Sequence, residues 1–219
     1  MPPKRKRVTA PANRKRVRRT ITPSFNKGPL PVKQTAKLIY QDRFTLNPGV
    51  GGLAANYVFS ANGLFDPNIT GVGHQPRGWD QLVALYDHAI VTSAKITIWA
   101  ANSQSDAQQI IVRVKDGTTV TNSDDDIFED RFIKSNSVTS LGMGPSMDHI
   151  VMTVDPIKFL GRAFGDSELK NSSVSNPTES CYFHVSALPY AAVDSGAIYC
   201  RARIEYNCTF IEPKQPNIS

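Results

Sequence analysis

The stretch IYCRARIEYNCTF, residues 198–210, alternates without a fault. Ile198, Cys200, Ala202, Ile204, Tyr206, Cys208 and Phe210 point one way; Tyr199, Arg201, Arg203, Glu205, Asn207 and Thr209 point the other. A strand reverses its side chains at each residue, so a period of two sustained this long demands a strand buried on one face. AIVTSAKITIW repeats the pattern, with Ile90, Ala94, Ile96 and Ile98 expected on one face and Ser93, Lys95 and Thr97 opposite. IIVRVK places Ile110, Val112 and Val114 inward. KLIYQDRFTL, YVFSA, HIVMTV and CYFHVSAL have strand length and are rich in β-branched and aromatic residues, and SVTSL is a weaker candidate that brings the count to eight.

Helix signals are few. In GWDQLVALYD, Trp79, Leu82, Val83 and Tyr86 follow one apolar stripe. DDDIFEDRF offers Asp124 to Asp126 to a helix N-terminus, and DPIKFLG offers Asp155 as cap with Pro156 in the first helical position. Connections such as NPGVGG, DPNITGVG and ELKNSSVSNP are made of turn residues. About eight strands with short helices in the loops predict an all-β fold, an antiparallel β-sandwich or a closed barrel. The strand count with long irregular loops favours a single jelly-roll, an eight-stranded antiparallel β-sandwich.

The charge is divided unevenly along the chain. Nine lysines and arginines fall within the first nineteen residues, and no acidic residue precedes Asp42. Residues 1–41 hold 12 Lys+Arg and no Asp or Glu, whereas residues 42–219 hold 13 Lys+Arg against 19 Asp+Glu. The net charge of +6 thus averages a cationic leader and an acidic body. Prolines 2, 3, 11, 23, 29 and 31 and scattered single apolar residues predict that 1–34 is a disordered basic arm, with the jelly-roll domain at 35–219. Extended, such an arm reaches on the order of 100 Å.

Lys4, Arg5, Lys6 and Arg7, a spacer, then Arg14, Lys15, Arg16, Arg18 and Arg19 have the layout of a bipartite nuclear-localisation signal, and the same residues suit nucleic-acid binding. With no aromatic residue before Phe25 and no helical period, the arm is expected to hold phosphates without reading sequence.

Other functions find little support. No apolar run approaches the roughly 18–20 residues of a membrane span, and the N-terminus is charged where a secretory signal is apolar, so neither membrane insertion nor export is expected. Cys181, Cys200 and Cys208 fit neither a disulfide framework nor a zinc site. The acceptor sequons at Asn68, Asn171 and Asn207 are then expected to stay unmodified. No GxSxG, HExxH or phosphate-binding glycine loop is present, so no enzyme and no cofactor is predicted.

His74, His88, His149 and His184 are dispersed and read as structural, although His74 and His88 flank the GWDQL segment and could pack together. Asp124, Asp125 and Asp126 are a weak metal candidate lacking the glycine of a calcium loop. Trp79, Trp99 and the strand aromatics are assigned to the core. Outward positions near Trp99, Arg113 or Lys115 are the ones that would touch nucleic acid.

FDPNITGVGHQPRGWDQ, the following LYDHAIVTSAKI, the later DPIKFLG and the closing RIEYNCTFIEP, behind an arginine-rich leader, resemble the capsid proteins of circovirus-like viruses. These are the small circular single-stranded DNA viruses that encode a replication initiator. The resemblance covers most of the chain in order and character. It implies a coat subunit that assembles as sixty copies into an icosahedral (T=1) shell, with itself, a single-stranded DNA genome and a host nuclear import receptor as partners. It also implies residence in the virion and, during infection, in the host nucleus. Residues 1–41 of sixty copies would carry roughly 720 positive charges against the phosphates of the cargo. The alternative is a non-assembling, sequence-independent nucleic-acid-binding protein of chromatin-like or ribosomal type.

Overall fold

The structure is a computed structural model that describes residues 29–102, 106–138 and 148–215. It contains eight strands: β1 (Lys33–Leu46), β2 (Ala55–Ser60), β3 (Tyr86–Asn102), β4 (Gln108–Lys115), β5 (Ile133–Val138), β6 (Asp148–Val154), β7 (Tyr182–Pro189) and β8 (Ile198–Pro213). Three short helices lie between them, α1 (Trp79–Val83), α2 (Asp124–Phe128) and α3 (Pro156–Phe159), with a 3₁₀ turn at Ser167–Leu169.

The strands form two four-stranded sheets, one in the order β1-β8-β3-β6 and the other β2-β7-β4-β5, with every pairing antiparallel. Apart from the β4-β5 pair, consecutive strands lie in different sheets, and the chain closes by laying β8 between β1 and β3. This is the jelly-roll predicted from the alternation. The expected inward face of β8, from Ile198 to Phe210, is buried throughout in the main core. Between the layers, Tyr206 donates its hydroxyl proton to the Ser60 carbonyl at 2.7 Å, and Phe44 packs on Tyr57 and Phe59 with centroids 4.5 and 5.3 Å apart.

In β3 the structure corrects one assignment. The register slips between Val91 and Ser93, so Thr92 is an extra residue and its hydroxyl bonds the Asn207 carbonyl at 3.1 Å. A bulge reverses the parity of the strand beyond it. Ala89 and Val91 therefore share the core face with Ala94, Ile96 and Ile98, while Ile90 turns to the other side. There it is sealed by Leu169 and Ile211, with Ile157 and Leu160 of the α3 segment against them.

The helices are shorter than the apolar stripe suggested. α1 buries Trp79 and Val83, but Tyr86 already belongs to β3. Gly78 adopts φ 91° at the entry to α1, a left-handed conformation that glycine takes without strain. α3 has the expected cap: Asp155 accepts from the Lys158 amide, and Pro156 follows it.

The FDPNITGVGHQPRGW segment straps the edge strands β1 and β2 together. Asn68 donates to Asp42 at 2.5 Å and to the Tyr57 hydroxyl at 3.0 Å, and its side-chain carbonyl receives the Gly71 amide at 2.9 Å. A Cβ on Gly71 would lie 2.6 Å from the Tyr57 hydroxyl, so only glycine fits that close approach. Asn68 and Asn171 are buried; Asn171 bridges Leu64, Asn62 and Ala89. Both asparagines serve the fold as hydrogen-bonding groups.

Candidate nucleic-acid interface

The outer faces of the two sheets are unlike. The face of β2-β7-β4-β5 is covered by residues 116–132, which carry α2 and pack Ile127 on Ile111, Leu188 and Ala54. Arg113, expected to be available on the outward side of β4, lies wholly buried beneath this cover. It pairs with Asp130 at 2.9 Å and donates to the Ser186 hydroxyl at 3.2 Å. Lys115, its outward neighbour, lies 3.8 Å from the same carboxylate. Arg113 is therefore a structural cation, which strand alternation cannot reveal because alternation says which face a residue takes and not what covers that face.

The face of β1-β8-β3-β6 is covered only at one end, by the α3 segment over Ile90 and Ile211. Toward the other end it is open. Register sets a row across the strands: Arg43 opposes Arg201, Arg201 opposes Trp99, and Trp99 opposes His149. The neighbouring row is Thr45, Tyr199 and Ala101. Small side chains at Thr45 and Ala101 beside Trp99, Tyr199 and the arginines leave a depression of ≈ 600 Å³. A second hollow of ≈ 350 Å³ continues it past Trp99 and Arg201 to Gln41 and Arg203. Trp99 is thus half-buried on this outer face and is not among the buried core residues, whereas Trp79 is fully buried as expected.

The charge on the open face is one-sided. Lys37, Arg43, Lys95, Arg201 and Arg203 point outward, and Glu205 is the carboxylate among them. Lys37 pairs with Glu205, Lys95 reaches it at 3.3 Å and Arg203 at 3.6 Å. The hydrogen bond from Lys37, with that from Lys95, holds the Glu205 carboxyl below its usual range against the opposing effect of desolvation. Arg43 and Arg201 make no ion pair among the described residues. Arginine forks beside exposed aromatic rings can hold phosphate oxygens and bases together.

The other predicted sites stand as follows. Lys4, Arg5, Lys6, Arg7, Arg14, Lys15, Arg16, Arg18 and Arg19 lie outside the described residues. Asp124, Asp125 and Asp126 head α2 as expected, with Asp126 accepting from Thr121 at 3.0 Å. Among the described residues no three His, Cys, Asp or Glu side chains converge as metal ligands. His74 stacks on Tyr40 at 4.8 Å and bonds the Gln41 carbonyl at 3.1 Å, whereas His88 pairs with Glu212 at 2.5 Å; the two do not form one pair. His184 is buried and bonds the Gly117 carbonyl at 2.7 Å. Cys181, Cys200 and Cys208 are buried free thiols, each pushed up to about 12 by desolvation. No described helix is long and apolar enough to cross a membrane.

No family model matches the chain, and no curated protein matches it. Among solved structures, a chain of the Macrobrachium rosenbergii nodavirus semi-empty virus-like particle is 12% identical with a TM-score of 0.49, covering 99% of this chain and 97% of that one. A chain of turnip yellow mosaic virus is 13% identical with a TM-score of 0.47, over 85% of this chain and 98% of that one. The decameric BFDV capsid protein is 14% identical with a TM-score of 0.45, over 82% and 99%. These are likenesses of outline and no more.

Proposed function

We propose that the chain is a viral coat subunit that assembles into a small icosahedral shell of sixty copies and packages circular single-stranded DNA. The observation that carries this reading is the division of charge: residues 1–41 hold 12 Lys+Arg and no carboxylate, and residues 42–219 hold 13 Lys+Arg against 19 Asp+Glu. A container for a polyanion needs cations that reach inward from a wall that can tile, and a leader held by phosphate neutralisation meets that need. The arm, residues 1–34, holds the genome through Lys4 to Arg7 and Arg14 to Arg19, and the same two clusters address the subunit to the nuclear import receptor of its host. The arm meets the wall where Lys33 and Gln34 begin the β1 ladder, and residues 35–219 form the rest of the wall.

Tiling needs apolar surface outside the core, and the loops supply it: Val50, Leu53, Val72, Val174 and Tyr190 are all more than half exposed. Apolar loop tips rimmed by polar residues are suited to contacts around symmetry axes. The choice of single-stranded DNA rests on the resemblance of FDPNITGVGHQPRGWDQ and its companion segments to circovirus-like coats. Sedimentation and electron microscopy of the full-length protein test the reading. Closed particles that protect DNA from nuclease are the expected result; a species that stays monomeric at physiological salt overturns it.

A further inference from the structure

Two arginines directly opposite each other on neighbouring strands repel, and the fold gains nothing from holding them so. Arg43 and Arg201 stand in this relation with no carboxylate paired to either among the described residues. Trp99 completes the row, and Tyr199, 59% exposed, lies diagonal to it. Diagonal partners in an antiparallel pair are about 7–8 Å apart, within reach of one extended ligand. The exposed Tyr199 ring, with the half-buried Trp99 ring beside it, leaves apolar surface in water as well. A cost in both charge and apolar exposure, concentrated on one depression, calls for a ligand that is anionic and has flat apolar faces.

We propose that the open face of β1-β8-β3-β6 is a second binding site, separate from the arm, for unpaired nucleotides, with bases lying against Trp99 and Tyr199 and phosphates held by Arg43, Arg201 and Arg203. The inference rests on the coat-subunit reading and adds to it that this sheet forms the inner wall. Four-stranded sheets with exposed aromatics flanked by basic side chains are a recurrent platform for single strands. A duplex hides its base faces by stacking, so it can satisfy the arginines but not the rings. The chain's own leader is cationic and is repelled from this face, and so is the same face of a second copy. The cations also form a track. The described chain begins at Pro29, and β1 then carries Lys33, Lys37 and Arg43 along the exposed side. A strand gripped by the arm is thereby led onto the sheet.

The protein carries its own reporter, because Trp79 is sealed in the core and Trp99 is the second of only two tryptophans. Full-length protein is titrated at about 0.3 M salt, where arm contacts are weakened. The probes are oligodeoxythymidylate, oligouridylate of equal length, a DNA duplex with the same number of phosphates, and inorganic polyphosphate. The expected result is that the single strands quench tryptophan emission while the duplex and polyphosphate bind without quenching. The stronger of the two single strands then identifies the nucleic acid preferred. Trp99→Leu removes the quench and weakens single-strand affinity about tenfold, and Arg43→Gln with Arg201→Gln lowers the salt slope by about two. Quenching by polyphosphate or duplex equal to that by single strands, or binding without any quench in the wild type, overturns the site and leaves the arm's role standing. Failure to bind any of the four overturns the coat-subunit reading itself.

Discussion

Asp130 reaches down from the cover over β4 to pair with Arg113 at 2.9 Å, and the arginine it meets is wholly buried while Asp130 keeps a quarter of its side chain in solvent. The two ends of the bond therefore differ in what they lose when it breaks. Asp130 can return to water; Arg113 cannot, and its Nε already has no partner among the described residues. Removing one member of a buried pair leaves an uncompensated charge, which costs several kcal/mol. Asp130→Ala is expected to destabilise the protein by about 2–4 kcal/mol in urea unfolding, and Arg113→Met combined with Asp130→Asn to recover most of that loss. If Asp130→Ala leaves the urea midpoint where it was, the pair is not what holds the 116–132 cover.

His184 lies under the same cover and gives it a dependence on pH. Burial, the largest influence, lowers its pKa below the ordinary 6.5; the cations Arg113 and Lys115 add to this, and the Gly117 carbonyl and Asp130 oppose it. A group whose folded pKa is depressed binds fewer protons folded than unfolded, so stability rises with pH through the interval between the two values. The contribution is complete above pH 6.5 and is lost as pH falls below it toward the depressed folded value. The urea midpoint should be level above about pH 7 and decline below 6.5, and His184→Gln, which keeps a donor for the Gly117 carbonyl, should flatten that decline. A decline unchanged in His184→Gln would assign it to other groups.

The sandwich was legible in the sequence because burial of one face forces a period of two, and β8 obeys it from Ile198 to Phe210. Ile90 was misplaced because one extra residue, Thr92, inverts parity without leaving a mark in composition. Arg113 and Trp99 exchanged expected roles for a different reason: alternation assigns both to outer faces, and only the three-dimensional path of residues 116–132 decides which outer face is covered. The row of Arg43, Arg201 and Trp99 was invisible for a third. Its members are far apart in the chain and are brought together by strand register, although Arg201 and Arg203 already stood on the outward side of the β8 alternation.

The basic clusters of the arm make a quantitative statement about salt. Each phosphate neutralised adds about 0.7–0.9 to the slope of log affinity against log salt. Replacing Arg14, Lys15, Arg16, Arg18 and Arg19 with Gln should therefore lower that slope by about four for a DNA fragment measured by fluorescence anisotropy. The β-body should unfold at an unchanged urea concentration. A slope equal to that of the wild type would place the phosphate contacts outside these five residues.

Deleting the leader tests packaging separately from folding, provided the cut respects the ladder. β1 pairs with β8 from Lys33 opposite Ile211 and Gln34 opposite Phe210, and just before it the Tyr86 hydroxyl donates to the Pro31 carbonyl at 3.0 Å. Removal of residues 1–28 spares all of these contacts. Removal of residues 1–34 cuts the first two pairs and leaves the buried Tyr86 without its acceptor, a loss of about 1–3 kcal/mol. The shorter deletion is expected to unfold with the full-length midpoint and to assemble with little encapsidated nucleic acid, measured as the ratio of absorbance at 260 and 280 nm in purified particles. The longer one should unfold earlier. Particles of the shorter deletion that carry a full complement of nucleic acid would remove the leader from packaging.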